Sequence, residues 1–396
     1  MILPLLLAYL AQSPPPWMEN IYSAPPEIAA RLLLDHLHTD RVKRANQIEE
    51  AFRLAAQARM PYPLTSQAPP DSLAGRQMEA RLARLDALSL RVQAANSMMS
   101  VNPARGREMA LSLPVPAPPP PACAQVAVPI LDEYYGMALT MAKRGFTSKQ
   151  REDGEHLRYL LRIISASTSP EQLQGAATLV RQYQGPEEEQ GPLLAALAAS
   201  LRLSAPNPRA YAATPALEMQ MESLRGTPGM EEAWQAYVKT QQSAKPCDDN
   251  GAFLFWQSGK GEDLFRESAK LHPVPLKADT DYEARVLALL HGIEQWRDED
   301  EVPAMAIFHM KASLYQALLG YCVTDDLLRQ VMPSFVLFVR DAPAKTESPA
   351  EWMLVFQKMI QPWSPGGMQS VALARQEIRR GGDGLMNLLV DTGMAF

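Results

Sequence analysis

Glu267 and its neighbours form a short run whose residue types could serve acid–base chemistry. In Phe265-Arg266-Glu267-Ser268-Ala269-Lys270-Leu271-His272-Pro273 a glutamate sits beside a serine on a helical segment. A carboxylic acid there can protonate a leaving oxygen, provided an apolar pocket raises its pKa. The other reactive residue types are spaced for packing. The six histidines, His36, His38, His156, His272, His291 and His309, supply no pair at the four-residue helical spacing of a zinc site. His36 and His38 fall on different helix faces, and His291 and His309 lie on apolar-rich helices. Asp298-Glu299-Asp300-Glu301 lacks the alternating ligands and central glycine of a calcium loop, and reads as a helix cap before Val302-Pro303. No phosphate-cradling glycine loop, serine elbow or dinucleotide fingerprint is present. The sequence therefore assigns no metal site and no cofactor.

Three cysteines fit no metal spacing. Cys322 ends an apolar helix, where a buried, inert thiol is expected. Cys123 and Cys247 each follow a proline-containing, irregular segment, Pro121-Ala122-Cys123 and Lys245-Pro246-Cys247. In an oxidising compartment a Cys123–Cys247 disulfide is expected, contributing about 4 to 5 kcal/mol in the chain-entropy model.

The segment around Glu267 resembles the helix of lytic transglycosylases in which a glutamate followed by serine protonates a glycosidic oxygen. Gly384-Leu385-Met386-Asn387-Leu388 resembles the glycine-leucine-methionine-glutamine segment of the same enzymes. The resemblance implies glycan cleavage with Glu267 as general acid. In this chain an asparagine replaces the glutamine, and the two segments lie much farther apart than the family places them.

The elements that would position such residues are helices. From Asp279 to Ile360 three apolar stripes recur at three- and four-residue steps: Tyr282, Val286, Leu289, Ile293 and Trp296; Ile307, Met310, Leu314, Leu318 and Tyr321; Leu328, Val331, Phe335 and Phe338. Each stripe occupies one face of a 3.6-residue helix and must be buried. Upstream, helices are predicted from Pro25-Pro26-Glu27 through His38 and over about 41 to 59, 71 to 99, 123 to 144, 148 to 166, 169 to 184, 187 to 203, 214 to 225, 228 to 243 and 261 to 271. Thr147, Thr168-Ser169-Pro170-Glu171, Thr227 and Ser348 read as helix starts, and Gly185-Pro186 and Gly191-Pro192 as stops. Ala252-Phe253-Leu254-Phe255-Trp256 is the best strand candidate, and it is short.

The expected fold is all-α: an irregular array of αα-hairpins, helical-repeat or solenoid-like, with essentially no sheet. It resembles tetratricopeptide-type arrays in architecture alone, without their fixed period or sequence pattern. Pro114-Val115-Pro116-Ala117-Pro118-Pro119-Pro120-Pro121 reads as a polyproline II strut. The expected organisation is a signal segment over 1–13, a helical block over 17–113, this linker over 114–121, and a helical array over 122–396.

With 38 Lys plus Arg against 44 Asp plus Glu, the chain carries a formal charge of -6 and no dense basic stripe, which excludes nucleic acid as a main partner. The apolar start, Met1 to Ala11, is too short to span a bilayer but matches the core of a secretory signal. A periplasmic or secreted location follows, or a cytoplasmic one if the segment tucks into the fold. In layout the chain resembles uncharacterised, exported, α-helical bacterial proteins. The expected function is a non-enzymatic binding or scaffold protein of the cell envelope, with protein or peptide partners on the helical surface. A glycan-cleaving enzyme and a purely structural protein are the alternatives.

Overall fold

A computed structural model of the chain describes residues 21–66, 80–118, 127–207, 210–243, 258–271, 281–297, 302, 304–341, 349 and 376. Within them the fold is all-α. The chain divides into two compact units, one of Ala30–Pro70 with Arg81–Phe253, the other of Met1–Ala29, Asp71–Ala80 and Leu254–Phe396.

In the first unit, α1 (Pro26–Asp35, which enters from the other unit), α2 (Arg41–Ala55), α3 (Ala87–Val101) and α4 (Pro103–Ser112) are followed by α5 (Asp132–Arg144), α6 (Ser148–Glu152) and α7 (Glu155–Ser165). Then come α8 (Pro170–Gln182), α9 (Glu187–Leu203), α10 (Ala210–Met221) and α11 (Met230–Gln242). The packing order is regular although the sequence has no period. Helix α5 packs on α7, α8 on α9 and α10 on α11 as pairs. Across pairs α5 meets α8 and α8 meets α10, while α7 meets α9 and α9 meets α11. Two rows of helices result, and α3 and α4 reach this ladder through α5.

Local chemistry sets the starts. Ser169 and Thr147 form capping boxes with Gln172 and Gln150, and Pro170 fills the first helical position. At the predicted start Thr227 the helix begins later, after Gly229 in the left-handed region (φ 77°). Gly191-Pro192 does not end a helix: α9 runs through it. Proline so near a helix start frees only one carbonyl, and Pro192 is exposed to water. The helix expected over 148 to 166 is split by Gly154, also left-handed (φ 70°). The one expected from 71 to 99 is interrupted at Arg84 (φ 55°) and restarts after Asp86, so Leu82 is exposed while Leu85 is buried.

Two elements were not expected. Strands β1 (Leu64–Ser66) and β2 (Ala127–Pro129) pair antiparallel, Thr65 opposite Val128. Three residues are too few to show alternation, and β2 falls where a helix from 123 was predicted; α5 begins at Asp132 instead. This pairing joins residues on both sides of the proline-rich segment, and Gln172 donates from Nε2 to the Pro116 carbonyl at 2.5 Å. The proline segment therefore lies inside one unit. Prolines lack donors but keep acceptors, so the segment Pro114–Pro118 is tied into the fold through a carbonyl.

Asp86 is the start signal that carries a testable cost. Its Oδ1 accepts from the Ser89 N–H at 2.9 Å, whereas its buried Oδ2 has no partner among the described residues. Burial raises its carboxyl pKa above the ordinary 3.8. A raised folded pKa means the folded state binds the proton more tightly, so the stabilising contribution is full below the unfolded value and is lost as pH rises through the folded one. Asp86→Asn keeps the cap and removes that loss. Its melting temperature relative to the native chain is expected to climb between pH 3 and pH 7, and Asp86→Ala to be about 1 kcal/mol less stable than Asp86→Asn. A difference between the native chain and Asp86→Asn that ignores pH would contradict this reading.

The second unit holds α12 (Gly259–Ala269), α13 (Tyr282–Gln295), α14 (Ala304–Gly320) and α15 (Asp325–Arg340), with α14 packed on the other three. The first stripe is buried throughout. In the others Met310, Tyr321 and Phe338 are half-buried and the rest buried. Phe338 stacks on Phe308 with ring centroids 4.9 Å apart and packs against Tyr315. Cys322 is buried as expected. Its thiol donates to the Leu318 carbonyl at 3.4 Å, and burial pushes its pKa up to about 12, so it stays an inert thiol.

Candidate functional site

Where α8 stops and α9 starts, the chain leaves a cleft. Tyr183 ends α8 with an extended ψ of 109°, Gly185-Pro186 turns the backbone, and α9 opens without a side-chain cap but with Glu187, Glu188 and Glu189 on its positive end. Gln190 donates from Nε2 to the Gly185 carbonyl at 2.9 Å and pins the turn. The turn after α10, held by Leu224 N–H to Met221 O at 2.8 Å, closes the far side. The space enclosed is about 400 Å³.

Its floor is apolar, with Val180, Leu193 and Leu224 buried and Leu194 half-buried. The rim is polar and exposed: Arg181, Gln184, Gln190 and Ser223. The lining is therefore mixed, buried apolar side chains lying beneath exposed polar ones.

One wall is backed by a buried polar cluster. The Tyr183 hydroxyl donates to Glu189 Oε2 at 2.5 Å, and His156 Nε2 lies 3.0 Å from Glu189 Oε1. A carboxylate only accepts, so the hydrogen of this contact is on His156 Nε2, and the ring's other nitrogen is Nδ1. That Nδ1 is buried and has no partner among the described residues. Burial first, and the Glu189 carboxylate second, push the Tyr183 phenol above its ordinary pKa, so it remains a donor. Phe146 packs over His156 with ring centroids 6.3 Å apart, and His156 is only 2 % exposed. The cluster is therefore a wall rather than an open reaction centre.

Glu267 lies elsewhere, in α12. Its side chain is 60 % exposed and paired with Lys270 Nζ at 2.6 Å. The apolar pocket that a general acid needs does not surround it. Ser268 is buried, with its hydroxyl 3.4 Å from that of Tyr321. Of the histidines, His38 Nδ1 accepts from the Asp40 N–H, His291 is exposed beside Gln295, and His309 is buried. Among the described residues no group of three or more His, Cys, Asp or Glu could hold a metal, and no helix is long and apolar enough to cross a membrane. Met1–Ser13, Cys123, Cys247, His272, Asp298–Glu301 and Gly384–Leu388 lie outside the described residues.

Nothing in the spacing of Tyr183, Glu189 and His156 marks them as a group. They come from the end of α8, the start of α9 and the start of α7, 6 and 33 residues apart in the two contacts. The available signals were Gly185-Pro186 as a stop and three glutamates after it, both of which read as ordinary helix punctuation. No family model, curated protein or solved structure matches the chain.

Proposed function

We propose that this chain is a non-enzymatic binding protein, a helical-repeat scaffold of the cell envelope that docks a peptide segment of a partner in the cleft between α8, α9 and the turn after α10. The observation that carries the reading is the cleft itself: apolar floor, polar exposed rim, and walls fixed by hydrogen bonds. The two-row packing of α5 to α11 supports it, because paired helices laid side by side leave an extended surface on which further contacts can be added. The envelope location rests on Met1–Ser13 acting as a secretory signal.

Selection of random peptides displayed on phage against the full chain tests the docking. Enriched peptides are expected to bind with Kd on the order of micromolar, typical of a small interface. Leu194→Glu places a charge on the floor and is expected to weaken them at least tenfold. Ser223→Trp fills the cleft from its exposed rim without touching the core and is expected to do the same with an unchanged melting temperature. Peptides that bind both variants as well as the native chain would overturn the proposal, as would a selection that enriches nothing.

A further inference from the structure

Positive charge and unspent hydrogen-bond donors meet on the α8 side of the cleft. Among the described residues Arg181 is the one charged side chain that lines it, and no aspartate or glutamate does. The Arg181 guanidinium is exposed and has no ion pair or hydrogen bond among the described residues, and the Gln184 and Ser223 side chains have no hydrogen bond there either. A guanidinium carries five N–H donors and no acceptor, in a fork that fits a carboxylate.

Two further cations stand at this end. Lys143, exposed near the end of α5, donates from Nζ to the Gln182 carbonyl at 3.2 Å, one residue along from Arg181. Arg151 is close enough to act on the charge of Tyr183, and donates to the Ala142 carbonyl at 2.6 Å and to that of Lys143. Neither Lys143 nor Arg151 is ion-paired with a carboxylate among the described residues. The nearby acids are engaged elsewhere. Glu189 accepts from the Tyr183 hydroxyl and from His156 Nε2, away from the lining. Glu187 and Glu188 are exposed on the first turn of α9, where the positive end of that helix favours them. Beneath the rim, Leu194 is the half-buried floor residue that a ligand can still reach.

We infer that the cleft selects an acidic side chain, aspartate or glutamate, beside an aliphatic residue of the docked peptide. The carboxylate stays at the rim with Arg181, in the field of Lys143 and Arg151, and the aliphatic side chain lies on Leu194. The exposed rim runs from Arg181 and Gln184 at the end of α8 to Ser223 after α10, so a chain can cross it and present the acid from its side. The inference rests on the docking reading above and specifies which segments that site accepts.

An exposed ion pair contributes little by itself, so the expected discrimination is several-fold and salt-dependent. Three acetylated and amidated dipeptides, leucyl-glutamate, leucyl-glutamine and leucyl-lysine, are titrated into the full chain while the amide resonances of Arg181, Gln184 and Leu194 are followed. The glutamate dipeptide is expected to shift them saturably and to bind at least about threefold more tightly than the other two at low salt. Arg181→Gln is expected to make the three bind alike, and Arg181→Glu to move the preference to the lysine dipeptide, both with an unchanged melting temperature because the side chain is exposed. Equal or tighter binding of the neutral or basic dipeptide, a preference that survives Arg181→Gln, or silence of all three resonances would overturn the inference. Inorganic phosphate, or leucyl-glutamine with a free carboxyl terminus, matching the glutamate dipeptide would overturn it too, by showing that a bare anion or a chain end suffices. Selected peptides that dock in the cleft without an acidic residue would overturn it and leave docking intact, whereas a selection that enriches nothing counts against docking itself.

Discussion

Gly175→Val is expected to be the most damaging single substitution in the first unit, costing at least about 3 kcal/mol at the upper end of overpacking effects. Gly175 lies in α8 against α5, and a Cβ there would stand 2.1 Å from Tyr135 Cδ2 and 2.4 Å from Cε2. Its φ is not in the left-handed region, so close approach alone requires the glycine. The Tyr135 ring cannot swing away at low cost. It is buried, its hydroxyl shares a 2.7 Å hydrogen bond with Ser167, and Ser167 in turn donates to the Ile163 carbonyl at 2.8 Å. Either the two helices move apart or a buried hydrogen-bond chain breaks. Gly175→Ala tests the argument more sharply, because alanine gains about 1 kcal/mol in helix propensity and is still expected to lower stability by about 2 kcal/mol. In a Tyr135→Ala background the same Gly175→Ala change is expected to become neutral or stabilising. Chemical denaturation of the four chains checks this, and additive effects would contradict it.

Trp296→Ala is the counterpart in the second unit, expected to cost about 3 to 5 kcal/mol as a large buried aromatic truncated to a cavity. Trp296 follows α13 and is 2 % exposed. A Cβ on Gly261 of α12 would meet its ring at 2.9 Å, which shows how closely that helix approaches. From α14, Lys311 donates to the Trp296 carbonyl at 2.5 Å and places its ammonium 5.7 Å from the ring centroid. One side chain thus joins three helices. Hydrogen exchange resolves the effect locally: amides of α12 and α13 that exchange through opening of this unit are expected to exchange about 100- to 4,000-fold faster, since each 1.4 kcal/mol is tenfold. Unchanged protection in α12 would contradict the packing described.

How much of this was legible depended on the length of the signal. The stripe through Tyr282, Val286, Leu289, Ile293 and Trp296 spans four helical turns, and its five members are buried as their spacing requires. Ser169 and Thr147 announced their helices because a capping box needs only four residues in order. Features that depend on one residue's backbone or on pairing far along the chain left no such trace. Arg84 breaks a helix by adopting a positive φ that nothing in its type demands. Strands β1 and β2 pair across the proline segment that looked like a boundary. The wall of the candidate site was hidden for the same reason: Tyr183, Glu189 and His156 are each ordinary in sequence and become a group only when α7 and α9 pack. Glu267 shows the converse, a motif-like fragment that the fold leaves in water beside Lys270.

The most direct measurement of docking is hydrogen exchange of the full chain with and without a selected peptide at saturating concentration. Protection is predicted over residues 180–194 and 223–227, where the cleft is lined, with α12 to α15 unchanged. A peptide that binds yet leaves 180–194 unprotected, or that protects α12 to α15 instead, would contradict the assignment of this cleft as the docking site.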